Sequence, residues 1–295
     1  MADSVGMQDI RGEAINTVVT GFALREYKFK QLCMINSNSK WKQSYWQETA
    51  AELTGGTQEG IEGVPRLAAF PYGEETWSEK SSYHLKHGFE GIVSWEDIIG
   101  DDIDVMARTL LRISRGVVKS VDSHIWRIIT EADTGGTPRP TNVNSVTISA
   151  GSEWNSDNLA NQNPIQDILN AKREIALDDY DPDSNGYLLL NPTDYANLLG
   201  NASIRNAGQF YTDGVTANGK VGSICGLTII VSNNVKTDYA AVVVAKEAAT
   251  WVEAAALTTV KIDEPGVKTT IRSWEVGICQ LKNPNAVTII ANTQA

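Results

Sequence analysis

The chain has 295 residues, 42% of them hydrophobic and 21% charged, with a formal net charge of −11. That is enough apolar material for a core in one large domain or two, and the acidity excludes a protein that grips nucleic acid through a broad basic surface, because such affinity comes from neutralising phosphates. No apolar run approaches the roughly 18 residues needed to span a bilayer.

The opening residues carry no basic and apolar signal region, so the expectation is a soluble protein made in the cytoplasm, with no membrane partner. Cys33, Cys225 and Cys279 are odd in number and far apart, which implies buried free thiols and no disulfide framework. Any DNA near such a chain is expected to be contained, with no sequence-specific binding.

Gly12 to Met34 reads as a moderately amphipathic terminal arm, with Ile15, Val18, Val19, Phe22 and Leu24 ahead of a basic patch at Arg25, Lys28 and Lys30. Ile35 to Glu48 is strand-like but polar and carries Trp41, Tyr45 and Trp46; Thr76 to Ile92 is similar and carries Trp77, Tyr83, Leu85 and Phe89. Between them lie Gly55, Gly56, Gly60 and Gly63, and then Pro65 and Pro71. Two strands joined in this way predict a projecting two-stranded arm, which is marginal in water unless something covers a face. Its aromatic residues would form an exposed apolar patch on a monomer, the mark of a protein interface. Trp41, Tyr45, Trp46, Trp77, Tyr83 and Phe89 are therefore the candidate interface residues.

Asp101 to Ala132 is the longest helical signal. Ile103, Met106, Leu110, Ile113, Val117, Val121, Ile125 and Ile128 recur at steps of three and four, a helical stripe and no strand. Arg108, Arg112, Arg115, Lys119 and Arg127 fill much of the rest. Asp101 or Asp102 is the expected cap, and Asp133-Thr134-Gly135-Gly136 the stop. Gly116, inside the helix, predicts a close backbone contact or a slight bend.

Pro138 and Pro140 then break the chain, and Val143 to Ala150 reads as a short strand. Asn163-Pro164 opens a helix to Leu177, with Asn as cap and Pro at the first helical position; Asn191-Pro192 repeats the signal for a short helix that Gly200 closes. Tyr187 to Leu190 lies between them as a buried strand. The remaining strands are expected at Gly226 to Ser232, Tyr239 to Ala245, Thr258 to Asp263, Lys268 to Leu281 and Ala286 to Ala291. Strands and helices segregated along the chain indicate an α+β class.

Three motifs with chemical overtones fail on inspection. Asp181 to Gly186 begins like a calcium loop, but Pro192 stands where a bidentate Glu is required, which leaves a helix-to-strand turn. Gly214 to Lys220 has phosphate-loop spacing, but Val221 replaces the magnesium-binding hydroxyl and a strand signal follows. His84, His87 and His124 lack a metal-ligand set, so they are expected to be structural. No catalytic, cofactor-binding or metal residue is assigned. The cluster Lys40-Trp41-Lys42 with Tyr45 and Trp46 could stack bases, but on an acidic chain subunit contact fits better.

The order of elements resembles the major capsid proteins of tailed bacteriophages, the Hong Kong 97-type (HK97-like) fold. Gly219 to Asn233 is similar to that family's glycine-punctuated segment running into a strand and a Ser-Asn turn. Tyr187 to Tyr195 resembles its strand, Asn-Pro and helix step, and Thr270 to Gly277 with Asn283 to Val287 its closing strands. The resemblance implies an N-terminal arm over 1–34, an extended loop over 35–92, and a peripheral domain with the spine helix over 93–149. It further implies an axial domain over 150–240 and return strands over 241–295. It implies no enzyme but a self-assembling shell protein whose hexamers and pentamers enclose double-stranded DNA in an icosahedral head, located in the virion and assembled in the host cytoplasm. A separate scaffolding protein, a portal and decoration proteins are the implied partners. The rival readings are an encapsulin-like nanocompartment shell and, from another class, a soluble hydrolase or binding protein. Lys40, Lys42, Lys80 and Lys86 are available for the Lys-to-Asn crosslinks of some family members, but no motif selects one.

Overall fold

A helix that keeps one apolar stripe over many turns needs something long to lie on, and here a twisted sheet supplies it. The computed structural model describes residues 17–20, 27–48, 64–70, 77–100, 105–201, 204 and 222–295. The first strands are β1 (Met34–Ser37), β2 (Lys42–Glu48), β3 (Trp77–Tyr83) and β4 (Leu85–Ser94). A short helix α1 (Trp95–Gly100) precedes the spine helix α2 (Val105–Ile129). A long hairpin near the end, β10 (Ala249–Glu264) and β11 (Lys268–Leu281), joins β1 and β4 in a four-stranded sheet of order β1-β10-β11-β4. Alternate residues of β4 face the spine: His87 meets Ser120, Phe89 lies over Gly116, and a side chain at Gly91 would collide with Thr109 and Ile113. At Gly116 an added Cβ would sit 3.1 Å from the Phe89 ring, so the glycine admits the close contact its position in the sequence implied.

The second sheet has six strands, in the order β5-β12-β9-β6-β8-β7. They are β5 (Asn144–Thr147), β6 (Gly186–Leu190), β7 (Ser223–Ile224), β8 (Leu227–Val231), β9 (Tyr239–Val244) and β12 (Val287–Ala291). Its central strands are covered on both faces, which is why Leu188 to Leu190 and Ala240 to Val244 read as unbroken apolar runs and are buried throughout. Helix α3 (Pro164–Leu177) packs on β12 and β5; α4 (Pro182–Asn185) and α5 (Pro192–Gly200) flank β6. Asn163 and Asn191 cap α3 and α5 through their side chains, accepting from Gln166 N–H and Thr193 N–H. Helix α5 ends at Gly200, and Asn201 turns extended. One core runs from Phe29 and the C-terminal half of α2, Val117 to Ile129, through both sheets to Ile290. A smaller cluster of Val19, Leu110, Ile113 and Ile271 underlies the N-terminal half of α2.

Several details depart from the sequence pattern. The spine is described from Val105, so its expected start and caps at Asp101 and Asp102 lie outside the described residues. Its buried stripe holds Ile129 and also Val118 and Trp126, while Ile128 is half-buried, because the C-terminal half is enclosed on more than one side. The helix ends at Ile129, ahead of the expected stop: Glu131 turns left-handed (φ 50°), and the Glu131 and Ala132 N–H groups donate to the Ile128 and Arg127 carbonyls, while Asp133 accepts from Gly135 N–H and Thr137 N–H in the turn beyond.

The two polar strand runs each divide between sheets: β1 and β4 belong to the four-stranded sheet, and only β2 and β3 form the two-stranded arm. The crossing point is His84, buried between Gln43 and the Trp41 carbonyl that accepts its N–H. Strand β10 begins at Ala249, well before Thr258, and is carried by β1 on one side and β11 on the other. The calcium-like stretch is the one-turn helix α4, capped by Asp181; its glycine is explained by packing, since a side chain at Gly186 would run into the Pro182 carbonyl and Leu227. The phosphate-loop-like residues 214–220, the arm's tip over 54–63 and most of the terminal arm lie outside the described residues.

Candidate subunit interface

The arm is antiparallel, and its register sorts the side chains. Lys42 faces Tyr83, Ser44 faces Ser81, Trp46 faces Glu79 and Glu48 faces Trp77. Directly paired residues share a face and alternate residues change it. Trp46, Trp77 and Tyr83 therefore lie on one face of the ribbon, where they are 58%, 45% and 54% exposed. The opposite face carries Gln43, Tyr45 and Gln47, paired with Ser82, Lys80 and Ser78. This polar face is the one held to the body. Gln47 and Gln43 are buried, Gln47 donates to the Leu281 carbonyl at 3.2 Å, and Gln43 bonds Asn38 and the Lys40 carbonyl. The arrangement is inverted for a free monomer, with amides inward and indoles outward.

The other candidates sit elsewhere. Trp41, 62% exposed, stands at the root of the arm. Tyr45 is half-buried on the inner face, and burial raises its hydroxyl pKa. Phe89 is on β4, half exposed, over Gly116 of the spine. The exposed aromatic surface thus gathers Trp46, Trp77 and Tyr83 together, with Trp41 nearby in sequence, while Tyr45 and Phe89 lie against the body.

A second set of polar residues, not singled out by any motif, secures the N-terminal segment to the spine. Glu275, fully buried on β11, accepts from the Tyr27 hydroxyl and pairs with Lys30 at 2.6 Å; Lys30 also reaches Glu253 at 3.1 Å. Asp122 of the spine accepts from the backbone N–H groups of Lys28 and Phe29 at 3.0 and 3.1 Å. Burial lifts its carboxyl to about 6 in spite of those bonds. Next to these contacts, the rings of His87, His124 and Trp251 cluster, tilted or edge-on to one another, the two imidazole centroids 5.5 Å apart. His124 Nε2 accepts from Cys279 N–H, and burial, the His87 ring and Arg127 hold its pKa down at about 4. His87 is lowered as well, chiefly by burial. Partners such as Lys30 and Glu275 lie far apart in the chain, so no local spacing could have revealed them. Among the described residues no group of three His, Cys, Asp or Glu is placed to hold a metal.

This geometry describes a subunit with an uncovered aromatic face, and comparison with known proteins accounts for it. The model of the phage capsid protein family matches residues 81–290. The chain belongs to that family. No curated protein matches this capsid protein in sequence. Its fold is shared with a virus-like particle from Pyrococcus furiosus at 14% identity and TM-score 0.62, over 94% of this chain and 98% of that one. It is shared too with the capsid of cyanophage P-SCSP1u at 14% identity and TM-score 0.65, over 90% of this chain and 88% of that one. A structure from Mycobacterium phage Che8 matches at 17% identity and TM-score 0.61, over 92% and 93% of the two chains. The fold is the HK97-like capsid fold, the role is structural, and the capsid protein assembles with itself into the shell of a virion.

Proposed function

We propose that this capsid protein builds hexamers and pentamers of an icosahedral head around packaged double-stranded DNA, and that the arm is the clasp between neighbouring subunits. The observation that carries the clasp is the single exposed face shared by Trp46, Trp77 and Tyr83. In this reading 35–92 is the extended loop, 93–149 with 241–295 the peripheral domain, 150–240 the axial domain, and 1–34 the arm that precedes them. Catalysis is not part of the role. A scaffolding protein, a portal and decoration proteins complete the head, which is assembled in the host cytoplasm.

Electron microscopy of the expressed protein tests the assembly: closed particles are expected. Particles holding a protein cargo and no genome would favour a nanocompartment shell, and a stable monomer active on some substrate would sink the proposal. The clasp has its own test. Aromatic anchors at interface centres commonly cost ~2 kcal/mol or more when truncated, whereas exposed rim charges contribute about 0 to 1 kcal/mol. Trp46→Ala or Trp77→Ala is expected to leave a folded subunit that assembles poorly, and Glu79→Ala to assemble normally. Trp variants whose particles keep their size and heat resistance would show that the arm is no clasp.

A further inference from the structure

We propose that a cleft between the C-terminal half of α2 and the turn joining β8 to β9 is a binding site for a tetrahedral oxyanion of the phosphate class. The cleft has a volume of about 350 Å³, at the small end of ligand pockets. Lys119, Ser123 and Arg127 line it from the helix, where steps of four put them along one side, and Asn233, Asn234 and Lys236 line it from the turn. The loop 134–136 forms a third wall.

The walls are held in place by bonds of their own. Trp126 Nε1–H donates to the Gly136 carbonyl at 3.0 Å and fixes the loop against the helix. Asn191 Nδ2–H donates to the Val235 carbonyl at 2.8 Å, and Asn234 N–H to the Ser232 hydroxyl at 3.2 Å, which fix the turn. Donors carried on supported walls are the preorganised arrangement that anion recognition requires. The three carboxylates adjacent in sequence to the lining are committed elsewhere. Asp122 accepts from the Lys28 and Phe29 N–H groups, Asp133 from Gly135 and Thr137 N–H while pairing with Arg139, and Asp238 from Gln294 N–H. Arg127 Nε, by contrast, is buried without a hydrogen-bond partner among the described residues. The edge of the guanidinium that can grip two oxygens of one anion is therefore not used within the subunit.

A cation in the last turn complements the helix dipole, and that accounts for Arg127 alone. Lys119 stands two turns earlier and Lys236 belongs to another element. The donors also choose among anions. A carboxylate offers two oxygens, and a phosphodiester two free ones with a single charge, whereas inorganic phosphate or a terminal phosphate offers at least three and a charge of about −1.5 to −2. Three cations, a hydroxyl and two amides match the second kind. Bound there, the anion would tie the end of the spine helix to the six-stranded sheet. The site is complete within one subunit, so it stands independently of how the shell assembles or what it encloses.

The test titrates inorganic phosphate into full-length free subunits at constant ionic strength and reads binding from the phosphorus NMR linewidth. Saturable binding is expected, with sulfate displacing phosphate and acetate failing to do so. The variant Lys119→Gln/Lys236→Gln changes two exposed positions and should bind about tenfold or more weakly, since each charge-assisted bond it removes is among the stronger kind. Its Tm checks that it folds. Arg127→Lys keeps the charge but loses the fork, so it should also weaken binding, and it carries the test should the double variant not fold. The control Lys261→Gln/Lys268→Gln, on the β10–β11 hairpin, should bind as the parent does. No saturable binding by the parent, unchanged binding by both cleft variants, an equal loss in the control, or displacement by acetate as readily as by sulfate would each overturn the proposal.

Discussion

At the scale of single residues, two buried groups give the subunit opposing responses to acid. His124 titrates near 4 in the folded protein against an ordinary 6.5, so between those values the unfolded chain holds a proton that the folded one refuses, and stability falls as pH drops through that window. Asp122 does the reverse: with its carboxyl near 6 against an ordinary 3.8, the folded protein takes up the proton first, and acidification from about pH 6 to 4 adds stability. Each effect is worth about 3 kcal/mol at most, so they largely cancel. His124→Gln should therefore become more stable on acidification, and Asp122→Asn should lose stability more steeply than the parent. Urea midpoints between pH 7 and 4 read this directly, and profiles parallel to the parent would refute the assignment. Lys30 poses a simpler case. Its loss leaves the fully buried Glu275 without its cation, and removing one partner of such a pair costs about 3 to 5 kcal/mol. Lys30→Met should lower the urea midpoint accordingly; a change under about 1 kcal/mol would mean that the Tyr27 hydroxyl suffices.

At the scale of elements, the same Asn-Pro start signal is expected to have two different energetic weights. Asn163 caps α3 and does little else, so Asn163→Ala should cost ~1 kcal/mol. Asn191 is buried and donates to the Val235 carbonyl at 2.8 Å as well as capping α5, so its alanine variant also strands an acceptor and should cost about 2 to 3 kcal/mol. Thermal or urea unfolding of the pair checks the difference, and equal costs would count against it. These caps were legible because capping is local chemistry, and the spine was legible because its period holds over 25 residues. The start of β10 was not. Ala249 to Leu257 includes Ala254, Ala255 and Ala256, which carry no strand preference, and they extend only because β11 flanks them, with β1 alongside the first residues. The break at His84 was equally hidden, since a strand that changes sheets keeps its alternation. Of the candidate interface, composition marked Trp46, Trp77 and Tyr83 correctly as exposed aromatics, but only pairing register could put them on one face and Tyr45 on the other. The basic residues of α2 were visible in the sequence; that Arg108, Arg112, Arg115 and Lys119 share one exposed side needed the packing of the opposite face.

At the scale of the whole molecule, the two sheets are joined through the spine and one continuous core, so the arm projects from a body that resists relative movement of its halves. The arm is tied to β11 through Gln47, and β11 in turn carries the buried Glu275 that holds the N-terminal segment. The strand order also sets a schedule. β12 lies between β5 and β9, β1 pairs in parallel with β10, and β4 pairs with β11, so each sheet needs strands from the last part of the chain. Residues that leave the ribosome first therefore wait, unpaired, for those that leave last. A chain stopped after Ala286 lacks β12 and leaves the edges of β5 and β9 unpaired; it should be insoluble or proteolysed, and a soluble, protease-resistant product of that length would contradict this. Incomplete copies should thus be lost before they reach a lattice, so that the strand order itself screens the subunits available to build a shell.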